Sequence, residues 1–127
     1  MPGQFPDLFE RQSFEAFVAA LPGTTLVNQW GDTAVGKVGG KIFALHRPDR
    51  SLAFKCADMT FDLLPDLPGI VPAPYLARAK WVSVTPAAPL TAAELAAYLR
   101  EAHRLVALKL PRRLRLGLGL DQPGTTA

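Results

Sequence analysis

A glycine pair set between two β-forming segments constrains this chain more than any other feature. In Val35-Gly-Lys-Val-Gly-Gly-Lys-Ile-Phe-Ala-Leu45, Gly39-Gly40 separates two short apolar runs. A two-residue primed turn needs positive φ, which glycine adopts without steric cost, so the stretch reads as a β-hairpin. With the glycines as turn residues, Val38 faces Lys41, Gly36 faces Phe43 and Ala34 faces Leu45, while Lys37 with Ile42 and Val35 with Ala44 share the other side. Phe43 is then expected to cover Gly36. Cross-strand pairs add only about 0.2 to 1 kcal/mol each, so the hairpin needs further strands or helices.

The flanking sequence supplies both. Phe14, Phe17, Val18 and Leu21 repeat at helical spacing until Pro22-Gly23 stops the helix. The start of that helix is open, since Asp7 with Glu10 could form a capping box and Ser13 could equally be the cap. Thr24 to Trp30 reads as a strand, Gly31-Asp32 as a turn, and Ser51 to Cys56 as a strand with Leu52, Phe54 and Cys56 on one face. Asp58 to Leu67 resembles a short helix, Ile70 to Pro74 is extended and broken by proline, and Lys80 to Thr85 is a fifth strand. Thr91-Ala-Ala-Glu94 is a capping box before a last large helix with Leu95, Leu99, Ala102 and Val106 buried, ending near Leu110 before Pro111. Helices before and after a run of strands, with no strand-helix alternation, predict an α+β two-layer sandwich. Its antiparallel sheet has about five strands, with the N-terminal and C-terminal helices on one face.

At 127 residues and 49% hydrophobic content the chain fits a single domain spanning 1–127. Its ordered core is expected over about 13–116, and a flexible tail over 117–127, where Gly, Asp, Pro and Thr dominate. Cys56 is the lone cysteine, which excludes an intrachain disulfide and suits a reducing cytoplasm. No leader pattern and no apolar run of membrane-spanning length occurs, so no membrane partner is expected. Charge is uneven. Residues 1–36 hold one basic residue, Arg11, against Asp7, Glu10, Glu15 and Asp32, whereas 100–115 hold Arg100, Arg104, Lys109, Arg112, Arg113 and Arg115 against Glu101. That asymmetry points to an anionic partner.

Six segments carry a likeness to a known family. Leu21-Pro-Gly-Thr-Thr25, the Val35–Leu45 hairpin, Leu52-Ala-Phe-Lys-Cys56, Pro68-Gly-Ile-Val-Pro72, Lys80-Trp81 and Leu105-Val-Ala-Leu-Lys-Leu-Pro-Arg-Arg-Leu-Arg115 occur in the order seen in the MmcQ/YjbR family. The chain resembles that family over nearly all of 13–115. The resemblance implies a frataxin/CyaY-like sandwich and a DNA-binding role, with projecting hairpins likened to wings. The chain departs from the family pattern in carrying Lys80 where His commonly precedes the Trp, and Val82 where Asn often follows it.

The candidate nucleic-acid-binding residues are Lys41, Arg78, Lys80, Trp81, Lys109, Arg112, Arg113 and Arg115. Lys41 sits beside the hairpin turn, where a wing would meet a phosphate backbone, or where lysine simply guards a strand edge. Arg78, Lys80 and Trp81 form a basic and aromatic cluster in which Trp81 either stacks on a base or is buried in its strand. Lys109 falls by helical phase near the core stripe, so it either snorkels or joins a site. Arg112, Arg113 and Arg115 follow Pro111 and either neutralise phosphates or serve a helix end, the structural role also read for Arg100 and Arg104. The rival reading is a small-molecule or protein-interaction module using the open sheet face near Trp81 and Phe43.

Signals for catalysis are poor. His46 and His103 lie in different elements without metal-ligand spacing and read as surface or half-buried side chains; Cys56 faces the core. Asp58, Asp62 and Asp66 read as a solvated face, and the glycines of the hairpin precede a strand rather than a phosphate-binding helix. The expectation is a non-catalytic protein without cofactor or metal that binds nucleic acid, DNA rather than RNA, through phosphates and without sequence specificity.

Overall fold

Phe14, Phe17 and Val18 of the apolar repeat become the inner stripe of helix α1 (Arg11–Ala19), and Leu21, just past its end, packs against the same core. In the computed structural model, which describes residues 7–74 and 76–120, six strands follow. They are β1 (Thr24–Gln29), β2 (Thr33–Val38), β3 (Lys41–His46), β4 (Leu52–Lys55), β5 (Ile70–Pro72) and β6 (Trp81–Val84). All pair antiparallel, in the order β1-β2-β3-β4-β6-β5. The strand beyond the expected five is β5, three residues long, on the outer edge beside β6.

Helix α2 (Asp58–Leu63) and a 3-10 turn, Leu64–Asp66, lead from β4 to β5. A second 3-10 turn, Ala77–Ala79, precedes β6, and the chain closes with α3 (Ala92–Leu108) and α4 (Arg112–Gly117). Helix α1 packs on β1 and β2 and α3 on β2, β3 and β4, so both cover one face of the sheet, as the sequence predicts. The capping box forms: Glu94 N–H donates to Thr91 Oγ1 at 3.0 Å and Thr91 N–H to Glu94 Oε1 at 2.8 Å. Such a cap stabilises a helix by about 1 kcal/mol. At the other end of the sheet Arg11 fixes α1, donating to Asp32 O and Asn28 Oδ1, both at 2.7 Å.

The hairpin forms with a correction to its register. Gly39 and Gly40 both take positive φ, and Val38 faces Lys41 and Lys37 faces Ile42 as expected. Beyond that the pairing slips, to Gly36 with Ala44, Val35 with Leu45 and Ala34 with His46. Phe43 is the extra residue of a β-bulge, the device that puts two successive side chains on one face. Phe43 and Ala44 accordingly both enter the main core, while Ile42 and Leu45 face the other way. The ring still covers Gly36: a Cβ there would lie 3.2 Å from Phe43 Cζ.

The sheet face away from the helices is not open near Trp81. Ala73 and residues 76–80 cover it, with Ala73 N–H donating to Trp81 O at 2.9 Å and Trp81 N–H to Leu76 O at 3.2 Å. Trp81 is buried there with Val35, Leu45, Ala53 and Ala73. The core is also longer than 13–116. Leu8 and Phe9 are buried before α1, and Leu118 and Leu120 pack against the core after α4. Residues 121–127 of the expected tail lie outside the described residues. No helix among the described residues is long and apolar enough to cross a membrane.

Gly69, ahead of β5, shows how little room the edge strand has. Its φ is +82°, and an added Cβ would sit 2.8 Å from the backbone nitrogen of Ala88 and 2.9 Å from Thr85 Oγ1. Backbone cannot swing aside as a side chain can. We expect Gly69→Ala to lower the unfolding free energy by about 2 kcal/mol, from left-handed strain and crowding together. Urea denaturation checks this, and an unchanged midpoint would contradict it.

Candidate nucleic-acid interface

The antiparallel order puts the start of β3 and the end of β4 at the same end of the sheet, and α3 ends there as well. Lys41 opens β3, Lys55 closes β4 and Lys109 is the C-cap of α3. The three line one cavity of about 370 Å³, whose remaining walls are Ile42, Val106 and Leu110. Lys41 and Lys109 are exposed and Lys55 is half-buried. Among the described residues no carboxylate lines the cavity or forms an ion pair with any of the three.

The lysines feel each other. Burial lowers the proton affinity of the Lys55 ammonium, the Lys109 charge lowers it further, and Asp58 and Cys56 oppose both. Lys55 Nζ also donates to Ala79 O at 2.7 Å, which ties its head to the 3-10 turn before β6. Like charges held together near an apolar wall are costly unless an anion joins them.

Helix α4 extends the positive surface. It rests on the hairpin turn, because the place of a Gly39 Cβ lies 2.6 Å from Leu110 Cδ1 and 3.2 Å from Leu114 Cδ2. That contact sets the start of α4, with exposed Arg112 and Arg113, beside the strand end that carries Lys41. Arg115 turns the other way. Its Nη1 donates to Leu108 O at 3.1 Å and Leu110 O at 2.7 Å, capping the carbonyl end of α3.

Of the eight candidates the structure therefore unites Lys41 and Lys109 around one cavity and sets Arg112 and Arg113 on the adjoining helix. Arg115 serves the helix end. Trp81 is a correction: only 6% exposed, it is buried with Val35, Leu45, Ala53 and Ala73, with Leu76 packed against them, and offers no free face for a base. Lys80 takes a left-handed φ of 67° and holds its ammonium 5.1 Å from the centre of the Phe61 ring, a cation–π contact. Arg78 is exposed on the 3-10 turn and lines none of the cavities described. Lys55 is the member that sequence reasoning missed, although the alternation of its strand had already turned it away from the core.

The two histidines, Cys56 and Arg104 are held in contacts of their own. Both histidines are buried, against expectation: His46 Nε2 pairs with Phe9 O and His103 Nε2 with Pro22 O, each at 2.7 Å. A carbonyl can only accept, so each Nε2 carries the hydrogen. Burial pushes the Cys56 thiol up to about 12, far from a reactive thiolate. A second cavity of about 430 Å³ beside His103 has Arg104 on its wall, and Arg104 is already paired with Glu101 at 2.6 Å.

Comparison with known proteins adds a family and a fold. The YjbR family pattern matches residues 19–105, and no curated protein matches. Among solved structures the chain is similar to a DUF419-domain protein of Deinococcus radiodurans, with 27% identity, a TM-score of 0.75, and coverage of 87% of this chain and 88% of that one. It is also similar to a protein from Pseudomonas syringae, with 23% identity, a TM-score of 0.64, and coverage of 76% of this chain and 97% of that one; this is a likeness of fold alone.

Proposed function

The chain belongs to the YjbR family, and from that membership and the charge at the hairpin end we propose that it binds nucleic acid, DNA before RNA, by neutralising phosphates and without catalysis. The observation that carries the reading is the convergence of Lys41, Lys55 and Lys109 on one cavity with no carboxylate lining it among the described residues. Lysine ammonium groups are point charges that meet a phosphate oxygen from many directions, so affinity without base readout is the fitting behaviour. Arg112 and Arg113 lengthen the footprint along the turn. A lone buried thiol suits a reducing cytoplasm as the setting.

The test is fluorescence anisotropy of a labelled duplex titrated at several salt concentrations. With about five phosphates contacted across this surface, log K is expected to fall against log salt with a slope on the order of −4 to −5. Arg112→Ala/Arg113→Ala should flatten that slope by about 2 units. Absence of binding at the lowest salt, where counterion release favours it most, would remove this reading.

A further inference from the structure

Resting on the reading just given, we propose that the cavity among Lys41, Lys55 and Lys109 seats the terminal phosphate monoester of a nucleic-acid strand. The basic end of this protein would then prefer strand ends to continuous backbone. The argument starts from shape. A diester backbone that runs past a protein needs an open groove with an entry and an exit, and cations spaced along it. Here the cations line one depression from three elements: β3 brings Lys41, β4 brings Lys55 and the C-cap of α3 brings Lys109. Cations gathered around one depression, rather than spaced along a groove, suit a single concentrated charge, which is what a chain end presents.

Charge agrees with shape. A phosphodiester carries one negative charge and a phosphomonoester close to two near neutral pH. Three ammonium groups with no lining carboxylate among the described residues are better matched to the second. Lys55, whose charge is disfavoured by burial and by Lys109, has the most to gain when a dianion enters. Ile42, Val106 and Leu110 give the walls an apolar part, which suits the sugar and base of the last nucleotide better than bulk water does. At about 370 Å³ the cavity lies at the lower end of ligand-pocket sizes, enough for one nucleotide rather than several.

The experiment uses the full chain and three labelled single strands of one sequence, ending in a 5′-phosphate, a 3′-phosphate or hydroxyls at both ends. One phosphorylated strand is expected to bind about tenfold tighter than the hydroxyl strand, the scale of one added charge-assisted contact. Lys41→Met and Lys109→Met, both exposed positions with fold checked by thermal melting, should bring that ratio to about one, and inorganic phosphate should compete for the phosphorylated strand first. Equal affinity for all three strands would overturn the end preference and leave phosphate-backbone binding standing. Binding of none at low salt would overturn that underlying reading as well.

Discussion

Phe43→Ala is expected to lower the unfolding free energy by about 3 to 5 kcal/mol, the range for removing a buried phenyl ring. Whole domains are stable by only about 5 to 15 kcal/mol, so much of the folded population is at stake. The upper part of the range follows from the surroundings. The ring is fully buried, lies over Gly36 and meets the His103 imidazole edge-on at a centroid distance of 5.2 Å. Gly36 has no side chain that could relax into the space, and His103 is held by its bond to Pro22 O, so the void cannot collapse from either side. Urea denaturation, with the midpoint and the slope read separately, checks the value. A loss below about 1.5 kcal/mol, less than the transfer of the ring alone, would mean that β3 escapes by discarding its bulge and sliding into regular register.

The bulge shows where sequence reasoning reached and where it stopped. Local chemistry was legible: the glycine turn, the capping box at Thr91 and Glu94, and the alternation that turns Leu52 and Phe54 inward each depend on residues within a few positions of one another. The slip at Phe43 depends instead on α3 and α1 arriving above it, which no hairpin sequence encodes by itself. Trp81 was misplaced for the same reason. Its strand alternates correctly, but only Ala73 and Leu76 packing back over it decide that the outward face is covered. Strand β5 is three residues ending in Pro72, too short and too proline-rich for periodicity to separate it from an extended loop. Helix α4 follows Pro111 with arginines at three of its first four positions, a pattern that charge counting registered as a basic tail. Among the site residues, Lys41 stood out by its position next to a turn and Lys109 by its helical phase near the core stripe. Lys55 joined them only through the pairing order of the sheet.

Replacing all three, in Lys41→Met/Lys55→Met/Lys109→Met, is expected to weaken duplex binding by about a thousandfold at roughly 50 mM salt, or ~4 kcal/mol, and to flatten the salt slope. The slope is the more telling quantity, because a loss of fold would abolish binding without leaving a measurable, shallower line. Stability separates the two further. The lowered proton affinity of Lys55 means that, between its folded value and the unfolded value of 10.5, the unfolded chain binds more protons than the folded one. Wild-type stability should therefore gain nothing below that window and rise as pH climbs through it. The triple variant lacks this group, so its stability should miss that rise on the alkaline side while staying within about 1 kcal/mol of wild type at neutral pH, as exposed or half-exposed substitutions do. A variant that keeps both its fold and the full salt slope would show that the phosphates are met elsewhere on the surface, with the three lysines as bystanders.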